Sequence, residues 1–269
     1  MPRYHGHQLH VSVAGPEDGP VAVFIHSSGL SGRQWNRYAE AFVAAGYRVL
    51  VPDLIGQGES EPWRAEMPFH FHADLRAMEE LVSEVAGPVT LVGHSYGGLL
   101  SLQLAAALPP DRLRALVVYE PVTWGVLHAE DERALASFRE DGFFDDALGG
   151  TEEWTRRFVD YWSGEGAYDA LHEAARAQMN RSARKTFEEV RSLCYDWTPA
   201  RHYEGIVCPT LVMHGTRSPA EAQRICALVA AALPAATLRP IEGAGHLGAV
   251  QLASTLAPLV LEWAQQTDL

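Results

Sequence analysis

Cysteine is scarce in this chain: Cys194, Cys208 and Cys226 are the only three in 269 residues, an odd number with no close paired spacing. That argues against a disulfide framework and a cysteine-based zinc site, and leaves buried free thiols as the reading of all three. Positive charge is also in deficit, with 21 Lys and Arg against 34 Asp and Glu and a net charge of −13. Nucleic acid calls for a basic face to meet its phosphates, and an anionic membrane surface calls for the same, so neither is expected as a partner. No uninterrupted apolar stretch approaches the roughly 20 residues of a membrane-spanning helix, and residues 1–7 lack the apolar core of a signal peptide. A cytoplasmic protein is the expectation. Histidine is plentiful, at twelve, but neither His5, His7 and His10 nor the pair His70 and His72 has an acidic or cysteine partner at a ligand spacing. No metal is expected at either group.

What the chain does have is apolar content, 47% hydrophobic against 20% charged, enough for one elaborated α/β domain with a large core. Its most informative stretch is Gly93-His94-Ser95-Tyr96-Gly97-Gly98, preceded by the apolar run 89–92. The run reads as a short buried strand. Residues 99–108, rich in Leu and Ala and stopped by Pro109-Pro110, read as the following helix. A serine turned sharply between strand and helix needs small neighbours two positions away on each side, because the backbone folds back on itself there. The turn holds the hydroxyl out to solvent, and the helix N-terminus aims N–H groups and a positive partial charge at it.

Other apolar runs at 21–25, 47–51, 113–119, 210–214 and 237–241 read as strands covered on both faces of a parallel sheet, with an edge strand over 8–13. Helices are expected over 35–45, 73–86, 219–233 and 252–265. Asp53, in a glycine-rich loop, reads as an acceptor of local backbone N–H bonds. Glu120 closes a buried strand, where a carboxylate is costly without a partner. From 122 to 203 strand-like runs vanish, acids and helix formers dominate, and aromatics such as Trp124, Phe138, Trp154, Phe158, Tyr161, Trp162, Tyr195 and Trp197 are scattered through. Most of these are expected in the core of a helical insertion, and a few along a pocket.

Four stretches, His26-Ser27-Ser28-Gly29, the loop 52–60, Gly93-His94-Ser95-Tyr96-Gly97-Gly98 and Gly243-Ala244-Gly245-His246, fall in one order from near the start to the final helix. In these the chain resembles the α/β-hydrolases of the capped, single-domain type. The resemblance implies an α/β fold with a mostly parallel doubly wound sheet, a core made of 1–121 and 204–269, and a helical cap over 122–203. It implies Ser95 as nucleophile and His246 as base, which agrees with the chemistry, since a serine hydroxyl attacks only once an imidazole takes its proton. Members usually carry an aspartate after the penultimate strand, where this chain reads Gly215-Thr216-Arg217-Ser218-Pro219. Some place a glutamate after the strand that follows the elbow helix, and Glu120 matches that position. A capped strand end and a salt bridge remain alternatives for Glu120, and Ser218 is the substitute that would hold the histidine in its place. The backbone N–H groups of Ser28 and Tyr96 are the implied oxyanion donors. The activity implied is a cofactor-independent serine hydrolase acting on a small to medium apolar carboxylic ester, thioester or lactone. Carbon–carbon bond hydrolysis, acyl transfer or cyclisation on the same triad, and a non-catalytic binding protein of this fold are the alternatives.

Overall fold

The computed structural model describes residues 1–63, 69–128 and 141–266. The chain opens with a small antiparallel hairpin, β1 (Arg3–Tyr4) and β2 (His7–Gln8), which turns through His5 and Gly6 at φ 46° and 79°. Positive φ at both loop residues gives the twist that a two-residue hairpin needs. The hairpin claims Gln8, so the expected edge strand over 8–13 becomes β3 (Val11–Ala14).

The main sheet also contains β4 (Val21–Ile25), β5 (Arg48–Pro52), β6 (Val89–His94), β7 (Leu113–Tyr119), β8 (Thr210–Gly215) and β9 (Ala236–Ile241). Its order is β3-β5-β4-β6-β7-β8-β9, with β3 antiparallel to β5 and every other pairing parallel. This is the expected doubly wound α/β sheet. The unbroken apolar runs of the central strands follow from burial on both faces. In β4, Val23 and Ile25 enter one core while Ala22 and Phe24 enter the other, and in β7 Leu116 and Val118 oppose Val117 and Tyr119 in the same way. At the far edge β9 is mostly exposed and carries Pro240, whose missing N–H an edge strand tolerates.

One face of the sheet is covered by α1 (Asn36–Ala44) and the closing helix α10 (Ala253–Gln266). The other carries α2 (His72–Ser83), α3 (Tyr96–Ala107) and α9 (Ala220–Ala232). Between β7 and β8 run α4 (Trp124–His128), α5 (Glu152–Ser163), α6 (Ala167–Ala170), α7 (Glu173–Arg181) and α8 (Ala183–Cys194), with no strand among the described residues of this segment.

Helix α5 shows why this segment holds together. Thr151 caps it by accepting from Trp154 N–H at 3.2 Å, and Gly164 ends it at φ 97°. Trp154, Thr155, Phe158 and Val159 form its buried face. Trp154 stacks on Phe158 with centroids 5.2 Å apart and meets Phe143 and Phe187 at 5.4 Å each. These rings join the core beneath the sheet's α2–α3 face, so the helical segment is welded to it by apolar burial. Tyr195 and Trp197 stand apart from that expectation, 41% and 57% exposed, and Phe138 lies outside the described residues. The three cysteines are buried free thiols. Among the described residues, no helix is long and apolar enough to cross a membrane.

Candidate active site

Ser95 sits between β6 and α3 at φ 55°, ψ −116°, a backbone conformation that costs on the order of 1–3 kcal/mol for a non-glycine residue. Crowding explains the flanking glycines. A Cβ on Gly93 would lie 2.3 Å from Gly97 O, and one on Gly97 would lie 2.0 Å from Ile25 O. The Ser95 N–H donates to Tyr119 O at 2.9 Å, which pins the turn against β7. Helix α3 begins at Tyr96 rather than 99, so its first turn abuts the serine directly.

His246 reaches Ser95 from the loop after β9: Nε2 lies 2.9 Å from Ser95 Oγ. Its Nδ1 lies 2.6 Å from Glu120 Oε2. Because a carboxylate only accepts, Nδ1 carries the proton and Nε2 is left to accept from the Ser95 hydroxyl. Glu120 is fully buried, at φ 45° just past the end of β7. Its other oxygen accepts from Gly215 N–H at 2.7 Å and from the Ser218 hydroxyl at 2.5 Å. Burial alone would raise the pKa of this carboxyl. The hydrogen bond and charge of His246, joined by Gly215 and Ser218, outweigh burial and hold it below the ordinary glutamate value. Ser218 thus stands behind Glu120 and is not against His246, which corrects its reading as a substitute for the acid.

His94 is a part that sequence reasoning missed. Its Nε2 donates to His246 O at 2.8 Å while its Nδ1 accepts from Gln34 Nε2 at 3.2 Å. Burial, with the nearby His246, keeps its pKa well below the ordinary histidine value, so the ring is neutral and this tautomer is consistent with both bonds. Gln34 Oε1 in turn accepts from Ser27 N–H at 3.0 Å. A single file of hydrogen bonds therefore ties the loop after β4 to the loop that carries His246. The only sequence cue was the position of His94 immediately before the serine. Tyr119 adds a second tie by donating to Gly245 O at 2.8 Å. Asp53 behaves as expected, accepting from Gly32 N–H at 2.7 Å and Glu59 N–H at 2.9 Å.

Two cavities meet at this cluster. The inner one is a narrow space lined by Ser28 and Ser95 and by apolar side chains including Val122, Trp124, Phe158 and Leu193. The outer one is wider and runs past Gly29, Leu30, Leu171, Met179 and Leu247. Trp162 of α5 lines both. Its indole lies over the His246 ring, centroids 3.9 Å apart and planes 22° from parallel. Among the described residues, no group of three or more His, Cys, Asp or Glu is arranged to hold a metal ion.

A sequence profile of the alpha/beta hydrolase family matches residues 22–257. Lipase LipV of Mycobacterium tuberculosis is 41% identical over 115 residues, 42% of this chain and 41% of that protein, so the chain matches less than half of the lipase's length. The magnesium-chelatase 30 kDa subunit of Rhodobacter capsulatus is 28% identical over 258 residues, 93% of this chain and 89% of that one. Among solved structures, the enol-lactonase of Burkholderia xenovorans superposes with a TM-score of 0.72 at 20% identity over 97% of this chain and 98% of that chain.

Proposed function

The chain belongs to the alpha/beta hydrolase family, and we propose that it is a hydrolase that cleaves a small to medium apolar carboxylic ester, thioester or lactone through an acyl-enzyme at Ser95, without a cofactor. The observation that carries this reading is the file Ser95 Oγ, His246, Glu120, with contacts of 2.9 and 2.6 Å. In it His246 takes the proton of Ser95 as the oxygen attacks the carbonyl carbon. Glu120 orients the imidazole and stabilises the imidazolium. The oxyanion forms facing the N–H groups of Tyr96 and Ser28; Ser27 has committed its own N–H to Gln34. His246 then gives its proton to the leaving oxygen or sulfur, and water repeats the sequence to release the acid.

The cavities support a division of the substrate. The inner, Ser95-facing space suits the acyl group, and the outer one, beside Leu247 and hence beside the proton donor, suits the leaving group. Helices α4–α8 serve as the cap that forms their walls. Hydrolysis of p-nitrophenyl esters of increasing acyl length by the wild type, Ser95→Ala and His246→Ala tests the proposal. Wild-type turnover abolished in both variants is the expected result, and undiminished turnover in Ser95→Ala would refute it.

A further inference from the structure

Lys185 is the only lysine in the chain, which otherwise supplies positive charge through arginine. It is also buried, with 3% of its side chain exposed. An ammonium leaves water at a cost of several kcal/mol unless its protons are met. Here they are. Lys185 Nζ donates to Asp74 Oδ2 at 2.7 Å and, more closely still, to Glu189 Oε2 one turn along α8. It also lies 4.4 Å from the Phe69 ring centroid and 5.3 Å from that of Tyr96. Burial alone would lower its pKa, but Asp74 and Glu189 outweigh burial and hold it above the ordinary lysine value, so it is charged.

The partners of this ammonium are the informative part. Asp74, on α2, accepts from the Tyr96 hydroxyl at 2.9 Å and from Ile55 N–H at 2.9 Å. Glu189 accepts from Gln57 Nε2 at 3.3 Å, and the Ser28 hydroxyl lies beside it and favours its charged form. Asp74 therefore holds the side chain of Tyr96 directly and Glu189 borders that of Ser28, the residues whose backbone N–H groups are the oxyanion donors of the proposed function. The ammonium that joins them comes from the helical segment between β7 and β8. Two carboxylates without it would stand in a water-poor site behind a developing negative charge, where repulsion is poorly screened. A compact ammonium bridges the two carboxylates as a point charge, whereas the planar fork of arginine is longer and imposes a different geometry on them.

We propose that Lys185 is the positioning residue of the oxyanion site: seated between Asp74 and Glu189, it sets Tyr96 and Ser28 at their working separation and offsets the charge behind them, so that the site is complete only when α8 is docked. This rests on Ser95 being an acylated nucleophile. The test compares wild type, Lys185→Met, Lys185→Arg and the uncharged triple variant Asp74→Asn/Lys185→Met/Glu189→Leu. Replacing a whole buried ion cluster by uncharged groups of similar volume commonly preserves stability, whereas removing one member does not. The triple variant thus keeps the question open to experiment even where Lys185→Met fails to fold.

The readouts are kcat and KM on p-nitrophenyl butyrate, the rate at which a fluorophosphonate labels Ser95, and the melting temperature. The expected result is a triple variant that melts near the wild type yet loses about 10²–10³ in kcat, the range for loss of one oxyanion donor, with KM changed less than threefold. Lys185→Arg is expected not to rescue kcat. A folded triple variant with wild-type kcat and labelling rate would overturn the proposal and leave Lys185 a purely structural tie. A wild type that neither turns over esters nor takes the fluorophosphonate would instead overturn the acyl-enzyme reading, and this inference with it.

Discussion

Replacing Glu120 by glutamine tests the proposed triad at its least obvious member. One carboxylate oxygen of Glu120 already accepts two hydrogen bonds, from Gly215 N–H at 2.7 Å and Ser218 at 2.5 Å. In the variant the amide oxygen is drawn to that side, because the Gly215 N–H can only donate. The amide NH2 is then turned toward His246 Nδ1, 2.6 Å away in the wild type. A donor there demands an acceptor, so the imidazole moves its proton to Nε2 and can no longer receive that of Ser95. The shape of the site survives while its tautomer is reversed, and the imidazolium loses its counter-charge as well. A triad carboxylate made into an amide costs about 10⁴ in kcat, equivalent to about 5 kcal/mol of transition-state stabilisation. The assay is steady-state hydrolysis of p-nitrophenyl butyrate, with KM expected to stay within a few-fold and the fold checked by circular dichroism. A folded Glu120→Gln enzyme retaining more than a tenth of wild-type kcat would refute the reasoning and return Glu120 to the role of a strand-end structural group.

Ser218→Ala removes one of the donors that hold the Glu120 carboxyl below its ordinary pKa; kcat is expected to fall about threefold to tenfold, the equivalent of one ordinary hydrogen bond, and a collapse as large as that of Glu120→Gln would contradict the geometry. Val122→Phe fills the inner cavity and is expected to depress kcat/KM for hexanoyl and longer esters while sparing acetyl esters, and an unchanged chain-length profile would remove that cavity from acyl binding. Burial raises the pKa of Glu189 to about 7. A folded-state pKa raised above the unfolded value contributes stability that is fully present below about 4.5 and lost as pH rises through about 7. Glu189→Gln takes one member from the cluster and is expected to melt below the wild type, with the deficit smaller at pH 8 than at pH 4.5; an equal deficit at both would disprove the raised pKa. Trp154→Ala opens a cavity in the stacked aromatic core of α5 and is expected to cost about 3–5 kcal/mol in urea unfolding, with less than 1 kcal/mol placing that core outside the cooperative unit.

Strands were legible wherever burial on both faces makes a run wholly apolar: Val21–Ile25 and Leu113–Tyr119 have the bounds that the sequence suggests. Boundaries slipped where glycine misled. Gly97 and Gly98 resemble helix breakers, yet α3 starts ahead of them because close backbone approach, and not a turn, is what they serve. Ser95 and His246 could be placed from local context, since an elbow and a glycine-framed loop each have a signature. The contact of Glu120 with His246 was reachable only through resemblance, because nothing local distinguishes a carboxylate that meets a distant histidine from a strand cap. The bond from Ser218 to Glu120, the Gln34–His94 file, the Trp162 indole on His246 and the Asp74–Lys185–Glu189 cluster carry no local signal. Each joins side chains far apart in the chain, on surfaces that exist only after the sheet and the helices above it have packed.

The most direct test of the central claim is the intact mass of the protein quenched in acid within milliseconds of mixing with p-nitrophenyl acetate. The account predicts one added acetyl group, mapped by digestion to Ser95, absent from Ser95→Ala and decaying at a rate no slower than kcat. Steady release of p-nitrophenol with no adduct on Ser95, or with the adduct on another residue, would contradict it.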